Sequence, residues 1–393
     1  MENIFFDLFK VIIKNNEIYI KNIMLIRFEY GETCPLLESY RKGDIDEFRN
    51  LINSGANINF RTNKSRSLIR IVISNHNEIP DEKNRQFFNE LLNAGVYLEK
   101  LDEGNSPLLA SMVETNEIYY MEELLKRGVE INNEYEYVDY YNMYRRMPPI
   151  FRAVKECPIE KIDLLMSYKP NLKIKDSLRS SLLHELIGHN IKNSDQIMSI
   201  LLSAGADPNA LNYDKESVLH KLSRGVGKSE IDNYKKYFDI LLKYNADINI
   251  KNKRGDTPIM CACKHNNKWA MKILAERNAS FTEKNNAGMN CVMHAAHHRR
   301  YDMLNFFEVK GVDFSDCDNE GQNAAHYIVS IKRNPRNSDI GVEKMKFLKK
   351  HYKLLLVKDD YDQTPLDIIK SNHTNSYKEL QNFLDSKNKT NDH

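Results

Sequence analysis

One unit recurs along this chain at intervals close to 33 residues, and that recurrence limits the fold more than any other property. Each copy opens on a small or polar residue and runs through Pro or an apolar residue into a short apolar helix. A second helix follows, ends in a Leu-Leu-like pair, and closes on Gly-Ala-Asp-x-Asn. The pattern is clearest at Thr257-Pro258-Ile259, at Thr364-Pro365-Leu366 and along Leu201-Leu202-Ser203-Ala204-Gly205-Ala206-Asp207-Pro208-Asn209. Opening positions fall at Cys34, Ser67, Ser106, Pro148, Ser181, Ser217, Thr257, Asn290, Asn323 and Thr364, with successive spacings of 33, 39, 42, 33, 36, 40, 33, 33 and 41 residues. A unit this short cannot bury its own apolar face, so it must stack on its neighbours.

Each residue type has a mechanical reason. Ser or Thr at the opening accepts hydrogen bonds from the free N–H groups of the helix start, and Pro at the first helical position has no N–H to leave unpaired. Gly55, Gly95, Gly128, Gly205 and Gly311 suit a left-handed turn after the second helix. Lys169, Asn245, Asn278 and Tyr352 hold that place in other copies. The Asp-x-Asn that follows, as in Asp247-Ile248-Asn249, starts a hairpin leading to the next copy.

These residues resemble the ankyrin-repeat family, whose T-P-L-H-x-A signature they approximate over about residues 34–385. His fills the fourth signature position at His184, His220 and His326, and Phe151, Met260, Met293 and Asp367 replace it elsewhere. The resemblance implies an all-α fold: a solenoid of about ten helix-turn-helix repeats with β-hairpin fingers. Residues 1–33 are expected to form N-terminal capping helices, and residues 386–393 a charged, disordered tail. The resemblance also implies hydroxylation of the hairpin asparagine, here Asn59, Asn132, Asn209 and Asn249, in a cell that contains the hydroxylase. Heavy Asn, Lys and Ile usage is similar to that of ankyrin proteins from large DNA viruses, protists or intracellular bacteria.

Departures from the period are local. The distance from opening residue to left-handed turn is 28, 28 and 29 residues in the repeats starting at Ser67, Ser217 and Asn323, against 21 in those starting at Thr257 and Asn290. The extra residues are polar, at 75–84, 224–233 and 332–341, and are expected between the two helices, where loops lengthen at small entropic cost. A further insertion puts 20 residues instead of 12 between Gly128 and Pro148, enlarging one finger.

Composition excludes several classes. An apolar fraction of 41% supports a packed core, and 57 basic against 55 acidic residues give no global pull toward nucleic acid or membrane. Six unevenly spaced cysteines suit reduced thiols in a cytoplasmic setting, which is the host cytoplasm if the source is a virus or a bacterial effector. No Gly-rich phosphate loop, H-E-x-x-H or G-x-S-x-G occurs. Cys261, Cys263, Cys291 and His294 form the best metal candidate, yet Cys-x-Cys within a helix is not a zinc knuckle, so apolar packing is expected there. Cys34 and Cys157 are accounted for by position, at a cap and before Pro158. No cofactor, metal or catalysis is expected.

The expectation is a monomeric, non-enzymatic scaffold or adaptor that binds another protein, with nucleic acid as the alternative occupant. In this family the residues four, seven and eight after the cap tend to face the groove. Here they are Arg152, Lys155 and Glu156; Glu185, Gly188 and His189; Lys221, Arg224 and Gly225; Cys261, Lys264 and His265; His294, His297 and His298, with Arg299 and Arg300 just beyond. Finger tips at Arg145, Arg146, Arg179, Lys253 and Arg254 continue this basic stripe, and later tips at Asp318, Glu320, Asp359, Asp360 and Asp362 are acidic. The enlarged finger adds Tyr135, Tyr137, Tyr140, Tyr141 and Tyr144, side chains that often anchor interfaces. An acidic, partly extended protein segment fits the stripe.

Overall fold

The computed structural model describes residues 30–31, 34–63, 66–74, 79–98, 107–112, 117–138, 144–156, 158–187, 191, 193–225, 231–330 and 341–391. The expected capping helices within 4–28 and the tip of the enlarged finger lie outside these residues. The chain divides into two compact units, residues 1–178 with 191–193 and residues 179–190 with 194–393.

The first unit pairs α1 (Pro35–Lys42) with α2 (Ile45–Asn53), α3 (Leu68–Ser74) with α4 (Asp81–Asn93), α5 (Leu108–Met112) with α6 (Ile118–Lys126), and α7 (Pro149–Glu156) with α8 (Ile159–Ser167). β1 (Tyr30–Gly31) runs parallel to β2 (Arg61–Thr62). Cys34 caps α1, its sulfur accepting the Leu37 N–H at 3.4 Å. The long insertion after Gly128 is a hairpin, β3 (Tyr135–Val138) against β4 (Tyr144–Met147), with Tyr135 opposite Met147 and Tyr137 opposite Arg145.

The insertion at 75–84 is not all loop. Helix α4 takes 13 residues where α2 takes nine, and the added turn carries Asn84, which is fully buried. Its amide donates to the Val72 carbonyl at 2.8 Å and the Tyr120 hydroxyl at 2.7 Å and accepts from the Tyr40 hydroxyl at 3.0 Å. One side chain thus caps α3 and ties it to α1 and α6. Asn84→Leu is expected to cost about 2 kcal/mol, because buried polar groups lose a partner. Urea unfolding checks this, and a loss within error of zero would show the network to be incidental.

The second unit repeats the pairing: α9 (Leu182–Leu186) with α10 (Ser194–Ser203), α11 (Val218–Arg224) with α12 (Ile231–Lys243), and α13 (Pro258–His265) with α14 (Lys268–Glu276). Then come α15 (Cys291–His297) with α16 (Tyr301–Val309), α17 (Ala324–Ser330) followed by α18 (Val342–Lys350), and α19 (Pro365–Asn372) with α20 (Thr374–Asn391). The first helices of successive pairs, α11, α13, α15, α17 and α19, pack each on the next. Insertion again becomes helix in part, since α12 has 13 residues against nine in α14.

Signature histidines join one repeat to the next. His220 Nδ1 accepts the Ser217 N–H at 3.2 Å, which leaves Nε2 to donate to the Asp256 carbonyl, one residue before the following cap, at 2.8 Å. His184 reaches Glu216 O at 2.9 Å and His326 reaches Gln363 O at 3.1 Å in the same way. The hairpin asparagines form a second series of joints. Asn59, Asn132, Asn209 and Asn249 accept, through Oδ1, the backbone N–H of Tyr97, Asn171, Asp247 and Ser280 respectively, at 2.7–2.9 Å.

Fingers of the second unit form a third series, each donating one backbone bond to the finger before it. These run Lys253 N to Asp214 O, Asn286 N to Arg254 O, Asn319 N to Ala287 O, and Asp360 N to Glu320 O, at 2.9–3.0 Å. Gly255 and Gly288 stand where the next finger crosses. Both have positive φ, and a Cβ on either would fall within 2.7 Å of a backbone nitrogen of that finger.

Two local expectations need correction. The five turn glycines, Asn245, Asn278 and Lys169 have positive φ, but Tyr352 does not take a left-handed turn. It begins a 3₁₀ helix, Tyr352–Leu356, which buries Leu354 and Leu355 and ends that repeat differently. The last helix runs on to Asn391, so residues 386–391, expected as a disordered tail, are helical. Among the described residues no helix is long and apolar enough to cross a membrane.

Candidate partner-binding face

Caps at Ser217, Thr257 and Asn290 fix the rotation of α11, α13 and α15, and so fix which residues turn outward. The fourth residue after the cap is not an open groove position in most repeats. Cys261, His294 and Glu185 are buried, and Lys221 is half-buried with Nζ on the His184 carbonyl at 2.6 Å. At two of these positions fingers cover the residue: Cys261 meets the Asn252 amide at 3.9 Å, and His294 Nε2 lies 3.2 Å from both the Asn285 amide and Asp256 Oδ1. Positions seven and eight are the accessible ones. Arg224, His265 and His297 are exposed, and Lys264 and His298 are half-buried.

The stripe is less purely basic than the sequence implies. Arg224 is ion-paired to Glu216, a carboxylate with only 7% of its side chain exposed. Asp256 is buried beside it, receives the Asn285 amide at 2.7 Å and faces His294. Burial tends to raise the Asp256 carboxyl, but His294, Asn285 and Lys264 together hold it below the usual range. Between α11 and α13, Arg224, Lys264 and His265 together with Asp214, Glu216 and Asp256 line a cleft of about 320 Å³.

His265, His297 and His298 are shifted toward the neutral form. Burial lowers the pKa of His265, and the charges of Arg224, Lys264 and Arg300 lower it further. His298 is brought to about 4 by burial, then by His297, His294, Arg300 and Lys264. His297 packs edge-on against Tyr327 at 5.3 Å and His298 at 4.8 Å. Arg299 has φ 56° and occupies the left-handed turn between helices that Asn266 fills one repeat earlier, so it is a turn residue rather than a face residue.

In the first unit, Arg152 and Lys155 are half-buried on α7. Tyr135 is 3% exposed, which removes it from any docking surface. Tyr137, Tyr144, Arg145 and Arg146 are placed by backbone register in β3 and β4. Tyr140, Tyr141, Gly188, His189 and Cys157 lie outside the described residues. At the finger tips of the second unit, Lys253 sits over the ring of Tyr213 at 5.3 Å, and Tyr213 is 67% exposed. Tyr213 was not singled out from sequence.

Three of the cysteines are packing residues. Cys261, Cys263 and Cys291 are buried, and burial pushes all three thiols up, Cys261 to about 12. Among the described residues no group of three or more His, Cys, Asp or Glu side chains is placed to hold a metal ion.

The family-model comparison agrees with this architecture. A family model described as ankyrin repeats (3 copies) matches residues 183–285 and 229–308. A putative ankyrin repeat protein of Rickettsia felis is 29% identical over 127 residues, 32% of this chain and 55% of that protein. The human transient receptor potential cation channel subfamily A member 1 is 30% identical over 83 residues, 21% of this chain and 7% of the channel. The chain thus spans about half, or much less, of the length of these relatives. Among solved structures, the ankyrin repeat domain of Bcl-3, a member of the IkappaB protein family, aligns with TM-score 0.48 and 18% identity over 60% of this chain and 97% of that one. Caps, cross-repeat histidines, finger stacking and the family match converge on one conclusion: the chain is an ankyrin-repeat protein.

Proposed function

We propose that the chain is a non-enzymatic scaffold or adaptor, acting as a monomer in the cytoplasm, which holds an acidic segment of another protein along α11, α13 and α15. Ankyrin repeats generally mediate protein–protein interaction, and the finer reading rests on one observation. Lys264, His265 and His297 crown successive stacked helices beside Arg224 and stand accessible where the rest of each helix is core. Lys264 and Arg224 supply the charge that steers an acidic chain, and His265 and His297, which burial shifts toward the neutral form, flank them. Tyr213 with Lys253 at the finger tips offers an aromatic anchor at the edge of this face. Buried Glu216 and Asp256, and acidic tips at Asp318, Glu320 and Asp360, oppose a polyphosphate track, which favours a protein partner over nucleic acid.

Affinity purification from native or host cells identifies the partner, and a double reversal locates the site. Lys264→Glu with His265→Glu is expected to weaken partner binding at least about tenfold while circular dichroism stays unchanged. A folded double variant that binds like the parent would move the site off this face. Lys221 and Arg224 are poorer choices for reversal, because each already serves a neighbour in the free protein.

A further inference from the structure

The cleft between α11 and α13 holds a one-sided ion pair. Arg224 has 47% of its side chain in solvent and Glu216 has 7%, so the guanidinium can leave the pair at little solvation cost and the carboxylate cannot. Lys264 and His265 line the same cleft with no ion pair or hydrogen bond of their own among the described residues, and the cleft is open enough to admit a carboxylate. We infer that the cleft seats one carboxylate of the docked acidic segment by exchange: Arg224 moves from Glu216 to the incoming group, and Glu216 takes up a proton from solvent as it loses its cation. This rests on the reading of the face as a docking surface for an acidic segment and specifies one contact within it.

The charges balance. Before docking, Arg224 and Glu216 neutralise each other and the partner carboxylate is in water. Afterwards Arg224 neutralises that carboxylate, and Glu216 is an uncharged acid. The groups around Glu216 favour this order. Burial already raises its pKa, Asp214 on its own finger raises it further, and Arg224 on α11 is the largest opposing influence, with the Asn212 amide also opposing. From the next repeat, Asp256 adds negative charge beside the cleft, Lys264 of α13 and Lys253 and Arg254 of its finger add cations, and His265 is shifted toward its neutral form. Removing Arg224 therefore leaves a buried carboxyl whose strongest reason to stay ionised is gone. His265 is a second proton acceptor: burial, then Arg224, Lys264 and Arg300, lower its pKa, and a bound carboxylate opposes those cations.

Fluorescence anisotropy with a labelled oligoglutamate peptide and the full chain tests the exchange. Affinity is expected to rise about fivefold as pH falls from about 7.5 to about 6, because docking takes up protons. Glu216→Gln releases Arg224 without adding a charge and is expected to bind about fivefold tighter at the higher pH, with a shallower pH gradient. Combined with His265→Gln the gradient is expected to vanish. Unchanged or weaker binding by Glu216→Gln, or a full gradient in the double variant, overturns the exchange. Loss of binding in Lys264→Glu alongside an indifferent Glu216→Gln would sink the exchange and leave the docking face standing. Peptide binding that survives Lys264→Glu with His265→Glu would sink both. An oligothymidylate that outcompetes the peptide and responds equally to Glu216→Gln would overturn the protein segment as occupant.

Discussion

Gly288→Ala is expected to lower the stability of the second unit by at least about 3 kcal/mol, whereas Gly205→Ala costs about 1 kcal/mol. Both residues have positive φ, +79° and +97°, so the backbone penalty of a side chain there is similar. What differs is the surroundings. A Cβ at 288 would sit 2.5 Å from the backbone nitrogen of Asn319 and 2.4 Å from its side-chain oxygen, but nothing lies within 4 Å of one at 205. Relief of that clash requires the fingers to part, which breaks the Asn319 N to Ala287 O bond and unseats the Asn319 amide from Asn286 O. Urea unfolding of both variants by circular dichroism gives the difference. Equal losses would show that the fingers separate freely and that their contact is incidental to stability.

His220→Ala is expected to cost about 4 kcal/mol, from the cavity left by a fully buried ring and from the orphaning of its partners. The Ser217 N–H loses its acceptor and the Asp256 carbonyl loses a donor, so the damage falls on two repeats at once. The same ring makes stability depend on pH. Burial pushes its pKa down to about 4, against the pull of the Asp256 carbonyl and carboxylate. An unfolded histidine protonates near 6.5, so between pH 6.5 and 4 the unfolded chain holds more protons than the folded one. The contribution is therefore intact above pH 6.5, falls as pH drops, and is lost below about 4, amounting to about 3 kcal/mol. Unfolding free energies measured across that window should slope downward toward acid in the parent and less steeply in His220→Ala. His326, lowered by burial in the same direction, supplies part of the remaining slope.

Much of the fold was legible because its determinants are local. A cap, a proline and a left-handed turn each act within a few residues, so Thr257, Pro258 and Asn278 announce themselves without knowledge of their neighbours. Tyr352 misled because burial of Leu354 and Leu355 in a 3₁₀ turn is a tertiary preference, invisible in a position otherwise aligned with glycine. The insertions misled in part, since polar residues 81–84 and 231–233 read as loop but extend α4 and α12 by a turn. The face was legible in register and not in charge. Counting four, seven and eight from each cap finds Lys264 and His265, yet treats Cys261 and His294 as equals although a finger covers them. Glu216 and Asp256 precede the caps in sequence and so fell outside the count, and their effect on the stripe appears only when folding brings Arg224 and His294 against them.

Three kinds of joint described above have a consequence for the history of such a chain. The histidine-to-carbonyl bond, the asparagine-to-amide bond and the finger-to-finger bond each link one repeat to its immediate successor. Excise a whole repeat, or copy one, between equivalent positions that carry these joints, and the flanking repeats meet through the same kinds of bond. Unequal recombination between repeats would thus yield a foldable product wherever its breakpoints fall in register. The number of repeats can drift in descendants while the pitch of the face is inherited intact. Insertions between the two helices of a pair escape the same rule, because none of the three joints passes through them.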